Sequence, residues 1–169
     1  MVDVARDRSA TLVHVGVIRS DPEMAIERRL AVIAEGLRAV LDEHRPDVVA
    51  VERVFAQQNR STVMGTAQAS GVALLVAGER GLPAQTHTPT EVKAAITGYG
   101  SADKRQVQAM VARILRLEDL PKPADAADAL ALALCHAWRT GVGAAPAVGG
   151  GVLTPAQRAW QDAERLSRR

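Results

Sequence analysis

Three carboxylates far apart in the chain carry the chemistry this sequence offers. Glu52 closes an apolar run, Asp47-Val-Val-Ala-Val-Glu52. Asp125 and Asp128 open an alanine-rich stretch, Pro123-Ala-Asp-Ala-Ala-Asp-Ala-Leu-Ala-Leu-Ala-Leu134. An ionised Glu ending an apolar strand is costly unless it is paired or metal-bound, although a solvated strand end explains it equally well alone. Asp125 and Asp128 stand at i and i+3 and share one helix face. Taken alone, they also suit the positive end of a helix dipole. Three acids able to meet at one edge of a sheet shift the balance toward a hard-cation site. Mg²⁺ takes oxygen ligands, usually one or two carboxylates plus water and substrate phosphate. Two such ions can clamp both the attacking and the leaving oxygen of a phosphodiester. A site of this kind usually takes a further acid from a neighbouring strand. The N-terminal segment offers only Asp3, in a strand stub, and Asp7, in a turn.

Basic residues that suit phosphate are Lys93, Lys104, Arg105 and Arg53. Each can equally be solvated surface charge, but Lys93 lies in an apolar Val-Lys-Ala-Ala-Ile run. Phe55, the single Phe, is either a core residue or a stacking platform for a base. His14 reads as a strand residue and His44 as a helix-end cation. His87 and His136 have no partners at ligand spacing, and none of the four is assigned to catalysis.

The elements that must position these groups follow from periodicity. Thr11 to Ile18 alternates and is β-branched, as a strand does. The Arg6–Ser9 stretch is a hairpin turn, and Met1–Val4 is the stub of the preceding strand. Pro22 to His44 is an amphipathic helix with Asp21 as cap. Asp47 to Val54 is a strand covered on both faces. Ser61 to Arg80 is a helix rich in Ala and Gly, suited either to packing on the chain's own sheet or to a dimer interface. Pro83 to Thr88 is a short strand, Pro89 to Thr97 a short helix, and Gly98-Tyr-Gly100 a flexible loop. Ala102 to Leu117 is another helix, and the Asp125 helix runs to about Arg139. Strands alternating with helices predict an α/β layer fold.

At 169 residues the chain suits one domain plus a tail: a domain over 1–140, a Gly/Ala/Pro-rich linker over 141–153, and a basic helical tail over 154–169. Hydrophobic content is 47% but aromatics only 2%, so Ala, Val and Leu must fill the core. A single cysteine, Cys135, excludes an internal disulfide and a zinc cluster. The net charge of +2 resides in the tail, because residues 1–140 are balanced. Overall charge is therefore no argument for nucleic acid; only placement is. No signal peptide and no apolar run near ~18 residues is present, which predicts a soluble, cytoplasmic protein without a membrane partner.

The residues resemble the RuvC family of Holliday-junction resolvases over about 11 to 139. The resemblance rests on Val51-Glu-Arg-Val-Phe55, Gly65-Thr-Ala-Gln-Ala-Ser-Gly-Val-Ala73, Glu91-Val-Lys93, Gly100-Ser-Ala-Asp-Lys104 with Gln106-Val-Gln108, and Ala124-Asp-Ala-Ala-Asp-Ala-Leu-Ala131. It implies a ribonuclease H-like fold, a mixed sheet flanked by helices. It implies a homodimeric endonuclease that binds a four-way DNA junction and nicks two strands symmetrically. The cofactor implied is Mg²⁺, two per subunit, with Mn²⁺ as a substitute. Glu52, Asp125 and Asp128 match the family's metal-binding acids. Lys93 and Lys104 match basic residues near the scissile phosphate, and Phe55 an aromatic that contacts a base. A branch-migration motor is the further partner implied.

The family begins with a central strand bearing Asp-Pro-Gly, whose Asp is a fourth ligand, and this sequence lacks that motif. The expectation is a start upstream of Met1, adding roughly one strand, one turn and part of a second strand. The alternative is a junction-binding protein that does not cleave, and a third reading is an unstable fragment.

Overall fold

The computed structural model describes residues 1–54, 60–119 and 121–140, and the linker and tail lie outside the described residues. Its elements in chain order are β1 (Val2–Val4), β2 (Ala10–Leu12), α1 (Ile26–His44), β3 (Val49–Glu52), α2 (Arg60–Glu79), β4 (Ala84–His87), α3 (Pro89–Thr97), α4 (Lys104–Ile114) and α5 (Ala124–Thr140). The fold is mixed α/β with helices flanking the strands. β1 and β2 pair antiparallel, and β3 and β4 pair parallel, as two separate two-stranded ladders.

The N-terminal hairpin forms as its turn residues dictate. Asp7 Oδ1 accepts from both the backbone N–H and the hydroxyl of Ser9, and Arg8 takes the left-handed region at φ 70°. The ladder is shorter than the 11–18 strand predicted. Only Ala10–Leu12 pairs with β1, and beyond it the N–H groups of Val13 and His14 turn to the Met1 carbonyl. Val13, Val15 and Val17 consequently remain exposed. A strand is defined by its partner, which alternation alone cannot supply.

The first helix also starts later than Pro22. Asp21 caps a turn instead, its carboxylate accepting from Glu23 N–H and its carbonyl from Met24 N–H, and the helix begins at Ile26. α1 and α2 are clamped by two bidentate pairs, Arg38 with Glu79 and Arg80 with Asp42.

The core lies under α5. Leu130, Ala131, Leu134 and Cys135 are fully buried against Val92 and Ile96 of α3 and Val107 and Val111 of α4. The alanines let α5 approach β3 and β1 closely as well as α3 and α4. Cys135 is a small buried thiol; burial raises its pKa, and it donates to the Glu91 carbonyl at 3.7 Å.

The two ladders do not join. Ala5 N–H bonds Ser9 O and Val13 N–H bonds Met1 O, so the odd residues of β1 face β2. The backbone groups of Val2 and Val4 therefore point the other way. Likewise Val49 N–H bonds Pro83 O and Arg53 N–H bonds His87 O, which turns the even residues of β3 away from β4. Between these two open edges runs a groove of about 660 Å³, floored by Ala133 and His136 of α5.

Candidate active site

Glu52 is delivered by β3. Val51 beneath it is buried, and the parallel register sets Glu52 beside His87 of β4. Partnered residues of neighbouring strands point to one face of the sheet, here the face on which α5 packs. Arg53 continues the ladder through its N–H to His87 O at 2.7 Å, and its guanidinium donates to Thr86 Oγ1 at 3.2 Å. That contact fixes Arg53 on the surface near Glu52.

Asp125 and Asp128 come from the first turns of α5. Ala126 and Ala127 between them are buried, which rolls both acids to the outer side of the helix. Lys104 comes from the first turn of α4, whose start is fixed by a capping box. Asp103 accepts from Gln106 N–H while the Gln106 side chain accepts from Asp103 N–H, each at 2.9 Å.

These two helix starts meet. Lys104 Nζ lies 2.9 Å from Asp128 Oδ2 and 3.6 Å from Asp125 Oδ1. The hydrogen bond and charge of Asp128 raise the lysine pKa. Glu52 is exposed by surface area, yet its pKa is raised, first by desolvation and then by the negative charge of Asp128, with Lys104 opposing. Both causes are physical: its carboxylate has lost part of its water and faces a like charge. The structure thus couples Glu52 to Asp128 and Lys104, although they stand on three different elements.

The three acids do not close into one ligand shell. Among the described residues no group of three or more His, Cys, Asp or Glu is close enough to hold a metal ion. Lys104 stands between Asp125 and Asp128 instead. The residues nonetheless fit Mg²⁺. The donors are hard oxygens, an ammonium already takes a cation's place between two of them, and three carboxylates against one ammonium leave two negative charges uncompensated.

Lys93 is half-buried on α3, and Arg105 is exposed on α4. Neither forms an ion pair among the described residues, so both are available to an anion. Phe55 lies outside the described residues.

Behind Glu52 lies a pair that sequence spacing did not reveal. His87 Nε2 and His136 Nδ1 are 2.9 Å apart and buried, and burial lowers both pKa values. The two are 49 positions apart. The only sequence signal is that each falls on an inward face of its element. The Gly98–Gly100 loop, read from sequence as flexible, carries several side-chain hydrogen bonds. The single Thr97 hydroxyl proton lies within bonding distance of two acceptors, Lys93 O and Tyr99 O, and Tyr99 OH donates to Gln106 Oε1 at 2.7 Å.

Residues 2–136 match the family model described as crossover junction endodeoxyribonuclease RuvC. The chain is 62% identical over 180 residues to the crossover junction endodeoxyribonuclease RuvC of Leifsonia xyli, covering 100% of this chain and 86% of that protein. It is 58% identical over 169 residues to the counterpart in Paenarthrobacter aurescens, covering 100% and 89%. Among solved structures, Thermus thermophilus RuvC in complex with a Holliday junction substrate superposes with a TM-score of 0.78 at 36% identity, over 84% of this chain and 86% of that one. Another Thermus thermophilus RuvC structure gives 0.75 at 35% identity, over 83% and 84%.

Proposed function

The chain belongs to the RuvC family of crossover junction endodeoxyribonucleases, and from that membership we propose that it resolves Holliday junctions in DNA recombination and repair. The reaction is hydrolysis of one phosphodiester in each of two equivalent strands. The observation that carries this reading is the meeting of Glu52, Asp125 and Asp128 with Lys104 at one end of the α5 layer.

The division of labour is part of the proposal, supported by the contact of Lys104 with Asp125 and Asp128. Glu52, Asp125 and Asp128 hold the cations, two Mg²⁺ per subunit with Mn²⁺ as a substitute. When bound, these ions supply an activated water and neutralise charge on the attacked and leaving oxygens. Lys104, at the rim of the acids, pairs with the phosphate once its carboxylate partners are taken. Lys93, Arg105 and Arg53 hold the backbone on either side, a contact that positions DNA without reading its sequence. Phe55 follows Glu52 by three residues and meets a base near the crossover.

Two copies act on one junction, since two equivalent strands require two equivalent sites. α2 is the surface proposed for the dimer. Met64 and Leu75 are 62% and 59% exposed, and a Cβ added at Gly65 or Gly71 would meet nothing within 4 Å. These positions are therefore not spent on packing within the chain, which favours the interface reading. The nuclease domain is assigned to 1–140, the linker to 141–153 and the basic tail to 154–169. A branch-migration motor on the same junction is the further partner, in the cytoplasm. No helix among the described residues is long and apolar enough to cross a membrane.

A second reading is favoured by one observation: the described acids do not close into a metal shell by themselves. On that reading the chain binds junctions without cutting them. One experiment separates the two. The purified chain is incubated with a labelled synthetic four-way junction and Mg²⁺, and products are resolved on a denaturing gel. Paired symmetric nicks, lost in Glu52→Gln, are expected. Retarded but uncut junction supports the binder, and neither binding nor cutting refutes both.

A further inference from the structure

We propose that Tyr99 is a DNA-contacting residue of this site, an aromatic platform on which an unstacked base of the bound strand lies. The proposal rests on the junction-binding reading above and extends it to a residue with no assigned role. Only four aromatics occur in the chain, and Tyr99 is the single tyrosine. A sparse aromatic is usually spent on the core, yet Tyr99 is 46% exposed as a residue.

Its position is held from both ends. Thr97 Oγ1 accepts from Tyr99 N–H at 3.4 Å and lies 3.0 Å from Tyr99 O, which shares the one Thr97 hydroxyl proton with Lys93 O. Gly98 takes the left-handed region at φ 89° to end α3, and the backbone of Gly100 passes so close to Thr90 that an added Cβ would stand 2.7 Å from Cγ2. The hydroxyl donates to Gln106 Oε1, the same oxygen that accepts from Asp103 N–H in the α4 capping box. The next residue is Lys104. The ring is thus anchored to the end of α4 that presents Lys104 to Asp125 and Asp128. It also spans the joint between α3, which carries Lys93, and α4, which carries Lys104.

A tethered hydroxyl with an exposed ring is a pre-organised surface. The ring has few rotatable bonds, and its one polar atom is already satisfied, so little ordering remains to be done on binding. An aromatic face beside cations that hold the backbone is how single-stranded nucleic acid is gripped without sequence preference. A four-way junction exposes unstacked bases at its crossover, whereas a linear duplex does not.

The test is fluorescence anisotropy with the full chain in EDTA, so that nothing is cut. Three labelled ligands are compared: a four-way junction, a single-stranded oligonucleotide and a linear duplex. Tyr99→Ala is expected to weaken junction and single-strand binding about tenfold, the scale of one lost base stack, and duplex binding less than about twofold. Tyr99→Phe keeps the face and is expected to stay within about twofold on all three. Tyr99→Leu, which keeps the bulk, repeats the test should the alanine loosen the loop, and is expected to weaken binding as alanine does. Equal losses on the duplex, a Phe variant as weak as Ala, or no loss in Ala and Leu would each overturn the proposal. Wild-type chain that binds single strands but not junctions would refute the function proposed above and leave Tyr99 to be judged on the single strand.

Discussion

Lys104 makes a prediction whose sign discriminates between mechanisms. Its ammonium lies 2.9 Å from Asp128 and 3.6 Å from Asp125, so it competes with any divalent cation for those oxygens. Replacing it by a neutral side chain of similar reach, Lys104→Gln, is expected to tighten metal binding while slowing cleavage. The magnitude follows from exposure. The lysine side chain is 54% exposed and Asp128 46%, so solvent screens the pair heavily. Exposed pairs contribute about 0.2–1 kcal/mol. Relief of the competition should therefore tighten the cation affinity about 1.5- to 5-fold. Lys104→Arg keeps the charge and adds a bidentate fork, so it is expected to weaken metal binding. Titration with Mn²⁺ followed by electron paramagnetic resonance reads the free ion directly and needs no DNA. A purely structural role for Lys104 would weaken binding in both variants. Weaker Mn²⁺ binding in the Gln variant would refute the idea that the ammonium stands in for the cation.

Two further predictions concern the frame. Leu134 is fully buried among α3, α4 and α5, so Leu134→Ala should cost about 2–5 kcal/mol, measured by denaturant unfolding of the full chain. A loss below about 1 kcal/mol would mean that the core does not sit under α5. Glu91 carries a pH signature. Its pKa is lowered, first by the Thr88 backbone N–H, then by the Thr88 hydroxyl, with Arg139 adding a smaller share. A folded-state carboxyl held below its unfolded value contributes stability above the ordinary glutamate range, and that stability is lost as pH falls through the folded pKa. Glu91→Gln should flatten this acid limb in melts taken across pH 3 to 6, and an unchanged limb would show that the cap carries no such linkage.

How much of this was legible in the sequence depends on the range of the force involved. α3 spans the predicted Pro89–Thr97 because every signal is local: Thr88 and Glu91 form a capping box, Pro89 opens the helix, and Gly98 closes it. The β3 strand end at Glu52 and the placement of Asp125 and Asp128 on one helix face were equally readable, since both follow from backbone periodicity. The predicted 102–117 helix contracts to Lys104–Ile114, because Asp103 caps one end and Arg116 turns left-handed beyond the other.

What the tertiary structure alone decided are the meetings between elements. No spacing places Lys104 against Asp128, lays His87 on His136, or ties the Tyr99 hydroxyl to the cap before Lys104. The shortened second strand belongs here too, since its length was set by β1. Helix periods and caps arise from hydrogen bonds within a few residues, so the sequence determines them by itself. Side-chain contacts across the fold depend on how closely buried alanines let α5 approach its neighbours. That is a property of packing, and no local run of residues contains it.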